Sequence, residues 1–352
     1  MPGQPEGAVL DVSAADREVR EAWAVSAGHA TEVCPGIWSV RLPIPNASPD
    51  HVLVYAVEAR EGLILIDTGF KTEECRRTLE AGLASFGARV RDVYGIVATH
   101  LHPDHYGLAG TLQEQSGAWL GMHVVDAALV PAWYHDQEAL NSATSEWLRA
   151  LGAPGVARQG LAEAMRPWDP DVPLPNRLLA DGERLEYAYG MLKVCHTPGH
   201  TPGHIVLVAR DAVLVGDHVL RGISPFLSTL LDPSDDPLGG FLAALADERL
   251  PVGALVLPGH GRPFRTLGER MTELRSHHDR RLAEIAIAVS TGDEPKTAWE
   301  VAQDVHWFRP WDELDLFSQR IALGETHAHL LHLERSGLVD AVNDDPYRWT
   351  RR

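Results

Sequence analysis

The sequence has few cysteines, a shortage of basic residues and no long apolar run. Its three cysteines, Cys34, Cys75 and Cys195, are odd in number and widely spaced, unlike the framework of a disulfide-stapled secreted domain. Residues 1–20 lack the apolar segment of a signal peptide, and no stretch approaches the roughly 20 apolar residues that a membrane-spanning helix requires. We therefore predict a cytoplasmic protein without a membrane span.

The shortage of basic residues also bears on possible partners. The chain has 31 Lys and Arg against 49 Asp and Glu, for a formal net charge of -18. Such a surface repels a phosphate backbone, so nucleic acid is not an expected partner. The last part of the chain, 270–352, is no exception, with 11 basic and 15 acidic residues. A length of 352 residues, 45% of them hydrophobic, suits one large domain with a smaller one.

Apolar patterning predicts a mixed α and β chain. Alternating or continuous apolar runs predict strands over 36–42, 51–57, 63–66, 119–123, 184–187, 191–195, 205–209, 212–215 and 255–257. Capping residues and spacing predict helices over 72–86, 108–116, 238–248, 269–290, 297–305 and 324–337. Residues 124–175 are helical in pattern and rich in aromatic residues, which favours an insertion folded over a site.

Potential metal ligands are densest after the apolar run 96–98, in His100-x-His102-x-Asp104-His105. We expect a strand to deliver His100 and His102 to the same side of a sheet edge, with Asp104 and His105 on the following turn. Three imidazoles and a carboxylate this close together suit zinc or another first-row metal. The alternative, a polar turn with incidental histidines, is disfavoured by the density of ligands.

The same arrangement of strand, glycine or proline turn and ligand-type side chain recurs at His200, Asp217 and His260. Functional residues gather where strands end and loops begin, so these positions are expected to meet the first motif in the fold. Together the four stretches supply five histidines and two aspartates. That is enough for two metal ions sharing one bridging carboxylate.

These stretches resemble the metallo-β-lactamase superfamily, in its hydrolase branch with glyoxalase II-like thioesterases and lactonases. The resemblance covers roughly residues 33–267. It implies an α+β fold, a four-layer αββα sandwich with the site at the edge of the sheets. It divides the chain into an N-terminal lead-in over 1–32, a hydrolase domain over 33–268 and a winged-helix-like domain over 269–352. The matching motifs are His100-x-His102-x-Asp104-His105, Thr197-Pro198-Gly199-His200, Gly216-Asp217, Gly259-His260-Gly261 and Ile66-Asp67-Thr68-Gly69.

The resemblance also implies a ligand set, with two divalent metal ions per chain. Zinc is the first choice, and iron or manganese are the alternatives. Asp67 is expected to orient a ligand histidine rather than to bind metal. Asp104 and Asp217 are expected to take part in catalysis. In this scheme the first ion is held by His100, His102 and His200, the second by Asp104, His105 and His260, and Asp217 bridges them.

The function that follows is hydrolysis of a small ester, thioester or lactone by a metal-bridging hydroxide. The alternatives are a metal-dependent RNA nuclease, suggested by the tail, and a winged-helix regulator with an inactive enzyme domain. Tyr106, Arg221, Trp133 and Tyr134 are candidate substrate contacts, although packing or a solvated loop would equally explain each of them. We assign His327, His329 and His332 to packing and surface roles. The tail is expected to wall the cleft or to form a homodimer.

Overall fold

The computed structural model describes residues 28–45, 49–164, 171–230, 236–292, 294–342 and 345–352. Most of the predicted lead-in lies outside this part of the chain. The first sheet begins with β1, three residues before the predicted domain boundary. It is antiparallel from β1 to β4 and parallel from β4 to β7. Its seven strands lie side by side in chain order: β1 Ala30–Cys34, β2 Ile37–Pro43, β3 His51–Ala59, β4 Gly62–Ile66, β5 Val93–Val97, β6 Trp119–His123 and β7 Arg177–Leu179.

The second sheet has five strands in the order β12-β11-β10-β9-β8. Only its β11–β12 pair is parallel. The Tyr55 hydroxyl of β3 donates to the carbonyl oxygen of Pro258 at 2.8 Å, which ties the two sheets together beside the site. The strands are β8 Arg184–Tyr187, β9 Gly190–His196, β10 Ile205–Val208, β11 Ala212–Gly216 and β12 Leu255–Pro258.

Helices cover the outer face of both sheets. The helices are α1 Glu73–Ser85, α2 Pro103–Tyr106, α3 Ala109–Ser116, α4 Val124–Val130, α5 Gln137–Ala150, α6 Gly155–Glu163, α7 Pro237–Ala244, α8 Leu267–Val289, α9 Ala298–Asp304 and α10 Leu316–Arg335. One core lies between the sheets, with Ile64 and Val97 facing Val194 and Leu214. Separate outer cores join α1 and α3 to the first sheet, and α7 and α8 to the second. This arrangement confirms the four-layer α+β sandwich.

Helix α1 shows how the local sequence sets these layers. The Thr72 hydroxyl accepts the amide of Cys75, and Glu73 and Glu74 occupy the positive N-terminal turn. Cys75, Leu79 and Leu83 recur at four-residue spacing and are fully buried in the core on the outer face of the first sheet. The prediction of this helix and its cap is confirmed.

The insertion and the C-terminal segment share a core. Trp147 and Leu161 of α5 and α6 pack with Ile285, Val301 and Leu330 of the C-terminal helices. The chain then ends in a hairpin of β13 Val339–Val342 and β14 Arg348–Arg351. The insertion therefore packs against the C-terminal helices and also lies beside the site. Three helices and a hairpin form this segment, and its winged-helix character stays a prediction.

Helix α10 begins at Leu316, eight residues before its predicted start. It is buried without interruption from Ala322 to Leu330. Its first turn is exposed but carries the apolar residues Leu316 and Phe317, and its middle is covered on all sides, so the sequence gives no amphipathic period to recognise. The capping box of α9 is as predicted, with Thr297 and Glu300 bonding each other's backbone amides.

Candidate metal centre

The seven side chains implied as metal ligands lie together where both sheets end. In the first group, His102 Nδ1 is 3.0 Å from His100 Nε2 and 3.0 Å from His200 Nε2. These three nitrogens could hold a metal ion. An imidazole nitrogen in a neutral ring either donates or accepts a hydrogen bond. The three nitrogens therefore cannot all form hydrogen bonds with one another.

A second group lies beside the first. Asp104 Oδ2 is 3.2 Å from His260 Nε2 and 3.5 Å from His105 Nε2, and these three residues form another set that could hold a metal ion. Asp217 stands between the groups. Its Oδ1 is 3.5 Å from His105 Nε2, and its Oδ2 is 3.3 Å from His260 Nε2 and 3.6 Å from His200 Nε2. The geometry is that of two donor groups with a shared carboxylate.

The outer nitrogens of the histidines show which way their lone pairs point. His200 Nδ1 donates to the carbonyl oxygen of Phe226 at 2.7 Å, and His260 Nδ1 donates to that of His51 at 2.8 Å. A carbonyl oxygen only accepts, so the proton of each neutral ring is on Nδ1. In these neutral rings the inner Nε2 atoms carry no proton and present lone pairs to the centre, as metal ligation requires.

Asp67 fixes the remaining tautomers. Its Oδ2 lies 2.8 Å from His105 Nδ1 and accepts the Thr99 hydroxyl at 3.0 Å, while its Oδ1 accepts the Thr99 amide at 2.7 Å. Because the hydroxyl proton of Thr99 goes to Asp67, its oxygen is free to accept from His100 Nδ1 at 3.0 Å. One buried carboxylate thus orients a histidine in each group, directly in one case and through Thr99 in the other.

The charges of the centre fit divalent cations. Burial lowers the pKa of His102 to about 3, and the adjoining His200 adds to the effect, so the first group is neutral. Burial opposes protonation of His260 too, but Asp217 and Asp104 outweigh it and raise the pKa of His260 to about 10. Protons on the histidines of the second group therefore balance the two carboxylates, a role that a bound cation would take over. His105 Nε2 and Asp217 Oδ1 are buried without a hydrogen-bond partner among the described residues.

The first motif reaches the centre differently from our prediction. Strand β5 ends at Val97, so His100 and His102 lie on a loop and not on a strand. The neighbouring strand β4 also ends here, at Ile66. The Thr99 amide therefore donates to the Asp67 side chain and not to a backbone carbonyl of a strand. The loop is nevertheless rigid, because the Leu101 amide donates to Asp126 Oδ2 at 3.0 Å.

Two of the candidate substrate contacts are corrected by the structure. Tyr106 is fully buried, and its hydroxyl donates to the carbonyl oxygen of Pro173 at 2.6 Å. Tyr134 is also buried and donates to the Leu101 carbonyl oxygen at 2.6 Å. Both hydroxyls are used in holding the insertion and the ligand loop in place. Trp133 remains a candidate, and Arg221 lies half-buried in the segment after Asp217.

Asp126 is a supporting residue that the sequence motifs do not reveal. It is completely buried at the start of α4 and accepts from the Leu101 amide, the Thr201 hydroxyl at 2.7 Å and the Gly203 amide at 2.5 Å. It therefore joins the loop of His100 and His102 to the loop of His200. The only signal in the sequence is an isolated charge within the apolar stretch 124–130.

Two histidines next to the motifs make contacts of their own. His204 Nε2 accepts the backbone amide of Asp217 at 3.1 Å, and its Nδ1 contacts the Thr197 hydroxyl at 2.9 Å. His196 Nε2 contacts the carbonyl oxygen of Pro202 at 2.8 Å. In the C-terminal segment, His327 and His329 are buried, and half-buried His332 pairs with Asp236.

Two curated proteins are similar in sequence to this chain. A probable metallo-hydrolase of Bacillus subtilis (strain 168) is 28% identical over 309 residues, 84% of this chain and 91% of that protein. An acyl-coenzyme A thioesterase of Bos taurus is 28% identical over 66% of this chain and 80% of its own length.

Among the described helices, none has the length and apolar character needed to cross a membrane.

Solved structures match over nearly the whole chain. A metallo-beta-lactamase family protein from Thermus thermophilus is 32% identical, covers 91% of this chain and 100% of its own, and superimposes with a TM-score of 0.75. A beta-lactamase domain protein from Burkholderia ambifaria is 29% identical over 93% of this chain and 95% of its own, with a TM-score of 0.81. The family model described as the metallo-beta-lactamase superfamily matches residues 47–260, and the chain belongs to that superfamily.

Proposed function

We propose that this hydrolase holds two divalent metal ions, zinc first among them, and cleaves a small ester, thioester or lactone. The observation that carries the proposal is the convergence of seven donor side chains, four of which are histidines whose outer nitrogens already make hydrogen bonds: His100, His105, His200 and His260. His200 and His260 donate outward to backbone carbonyls, and His105 contacts Asp67. Their inner atoms are thereby left to bind metal. The proposed ligands are His100, His102 and His200 for one ion, Asp104, His105 and His260 for the other, and Asp217 for both.

The residues of the chain have distinct tasks in this proposal. When bound, two divalent cations supply Lewis-acid polarisation of a carbonyl and lower the pKa of a water molecule toward neutrality. Asp104 and Asp217 present carboxylate oxygens that can accept a proton or a hydrogen bond from that water. Asp67 keeps His105 in the tautomer that leaves Nε2 unprotonated. Neither a serine nor a cysteine nucleophile is required.

The side of the centre open to a substrate is defined by exposure. His102 and Asp104 are partly exposed, whereas the other five proposed ligands are buried. Trp133 stands beside this opening, with its ring centroid 6.0 Å from that of His102. Its indole nitrogen is buried and has no hydrogen-bond partner among the described residues. We therefore assign substrate contact to Trp133, through the apolar face of its ring beside His102.

The charge of the chain and its sequence similarity both favour a small acyl compound as the substrate. The related Bos taurus protein is named as an acyl-coenzyme A thioesterase, which supports a thioester among the three carbonyl substrates. The net charge of -18 disfavours a long phosphodiester such as RNA. Hydrolysis of a small acyl compound is thus preferred over nuclease activity.

The experiment is a metal analysis of the purified chain followed by assays with thioesters, lactones, simple esters, phosphodiesters and RNA. Thioester, ester or lactone turnover that disappears with chelator and returns with zinc supports the proposal. His102→Ala should lose metal and turnover together, because it removes one of three donors at the first group. His196→Ala is the matched control, since this histidine at the end of β9 bonds a backbone carbonyl outside the ligand set. Activity restricted to RNA, or normal turnover by metal-free protein, would contradict the proposal.

A further inference from the structure

A second cluster of ligand-type side chains lies where α8 meets α10. His277 and His278 of α8 and Glu325 of α10 each place one donor atom within 4.8 Å of the other two, a set that could hold a metal ion. His277 Nε2 is 3.8 Å from Glu325 Oε1, too far for a hydrogen bond. None of the three belongs to the seven residues of the centre described above.

The hydrogen bonds of His329 determine the tautomer of His278. His329 Nδ1 lies 2.7 Å from the carbonyl oxygen of Glu325 and must donate to it, which leaves His329 Nε2 as an acceptor in the neutral ring. That nitrogen is 3.1 Å from His278 Nδ1, so His278 donates there. The Nε2 atom of His278 is therefore unprotonated. It is buried, and no partner for it exists among the described residues.

Both rings are held neutral. Burial lowers the pKa of His278 to about 3, with His329 adding to the effect, and burial also lowers the pKa of His329. An unpaired nitrogen lone pair in such a place costs free energy until a donor or a cation meets it. His277 Nε2 is likewise buried without a partner in the described structure.

The carboxylate of Glu325 also lacks a close partner. Arg281 Nε is 4.0 Å away, beyond hydrogen-bond distance. The guanidinium of Arg281 instead donates to Glu284 at 2.8 Å and to the His306 carbonyl oxygen at 2.7 Å. Arg281 Nε still forms a loose ion pair with Glu325 and has no hydrogen-bond partner among the described residues, so a bound cation would share the Glu325 charge with this guanidinium.

We propose that His277 Nε2, His278 Nε2 and the Glu325 carboxylate bind a further divalent cation of the zinc type. Two imidazoles and one carboxylate are a ligand set that zinc accepts, with a fourth position left for water. The site would join α8 to α10, two helices that both contribute to the core of the second sheet and to the core under the insertion. Its role is structural, a cross-link beneath the C-terminal segment, and it is independent of the proposed hydrolytic centre.

The test is zinc stoichiometry on the full-length chain, measured by elemental analysis after loading with Zn²⁺ and dialysis. We expect three zinc ions per wild-type chain and two in Glu325→Gln. His277→Asn, a change at a half-exposed position, should also lose the third ion if Glu325→Gln folds poorly. Glu334→Gln is the matched control, because Glu334 is a carboxylate on the same helix that bonds the Trp349 indole nitrogen. It should retain three.

A chain carrying His102→Ala and Asp217→Ala separates this site from the other centre. It should keep one zinc ion, and adding Glu325→Gln should remove that ion and lower the melting temperature measured with zinc present. An ion count that stays at the wild-type value in both Glu325→Gln and His277→Asn would overturn the proposal and leave the hydrolytic centre unaffected. Failure of the hydrolytic centre alone would appear as one ion in the wild type, lost in Glu325→Gln.

Discussion

Thr229 Oγ1 lies 2.6 Å from His327 Nδ1, and this contact joins the loop beside the metal centre to the C-terminal helix α10. The Trp147 indole of α5 donates to the same hydroxyl at 2.9 Å. Three residues earlier, the Phe226 carbonyl accepts the Nδ1 proton of His200. The insertion and α10 therefore clamp the segment that orients a proposed metal ligand.

Thr229→Val should weaken metal binding at His200 without removing a ligand. Valine keeps the shape but leaves the Trp147 N–H and His327 Nδ1 without a partner, at a cost of about 1–3 kcal/mol each. We expect zinc affinity, measured by competition with a chromophoric chelator, to fall several-fold as the Phe226 carbonyl loses its fixed position.

Two further variants of buried hydroxyls control for stability. Thr229→Ser retains the hydroxyl and should restore the affinity. Thr326→Val removes a hydroxyl on α10, the helix of His327. This hydroxyl bonds only the Ala322 carbonyl oxygen, one turn back. It should lower the free energy of unfolding but leave zinc affinity unchanged. An equal loss of affinity in Thr326→Val would show that destabilisation, and not the clamp, is responsible.

Asp126→Asn should loosen both loops of the first ligand group. The carboxylate accepts three donors, and an amide would turn its NH2 group toward at least one of them. We expect a loss of about 1–3 kcal/mol in the free energy of unfolding, together with weaker zinc binding. Asp136→Asn is the control, because that exposed aspartate only caps α5, a role that asparagine fills equally well. Zinc affinity equal to wild type in Asp126→Asn would contradict this role.

The fold was predictable where side-chain patterns reflect one-sided burial. The capped helix at Thr72 was predicted almost to the residue, because its apolar spacing matches a single covered face. The strand over 119–123 was predicted from a short apolar run, although it is buried on both faces. Strand β7, with three residues, and strand β14, partly polar, gave no such pattern. The start of α10 was missed because its exposed first turn carries the apolar residues Leu316 and Phe317, which match no covered face.

The candidate site was predictable from side chains but not from backbone. The motif at His100 stands out because imidazoles and carboxylates crowd one turn. The carbonyl oxygens of Phe226 and His51, which fix the tautomers of two histidines, belong to the backbone and have no sequence signature. Asp126 is an ordinary aspartate until the fold brings two loops to it. Which residues bind metal stays a prediction for the experiments above.

Asp67→Asn should impair the second ligand group through His105. Asp67 has a φ of 63°, a left-handed conformation that asparagine tolerates, so the backbone should persist. The amide NH2 would face the Nδ1 proton of His105, and the ring would relieve this clash by moving its proton to Nε2, the metal-facing nitrogen. We expect zinc affinity to fall about 10–100-fold.

Asp236→Asn is the matched control for this change. Its carboxylate also contacts a histidine Nδ1, that of His332 at 2.9 Å, but outside the metal centre. The variant should bind zinc like the wild type. Unchanged affinity in Asp67→Asn would show that His105 does not depend on Asp67 for its tautomer.

His327 should make the protein sensitive to acid. Burial lowers its pKa to about 3, against about 6.5 in the unfolded chain. Between these values the unfolded state binds a proton that the folded state does not, so the free energy of unfolding falls as the pH falls below about 6.5. The loss is about 1.4 kcal/mol per pH unit, or about 2 kcal/mol from pH 7 to pH 5. His327→Asn keeps a partner for Thr229 but cannot titrate, so its stability should fall less over this range. Urea unfolding of both chains in chelator at pH 7, 6 and 5 measures the difference, and parallel pH profiles would rule out a neutral buried His327.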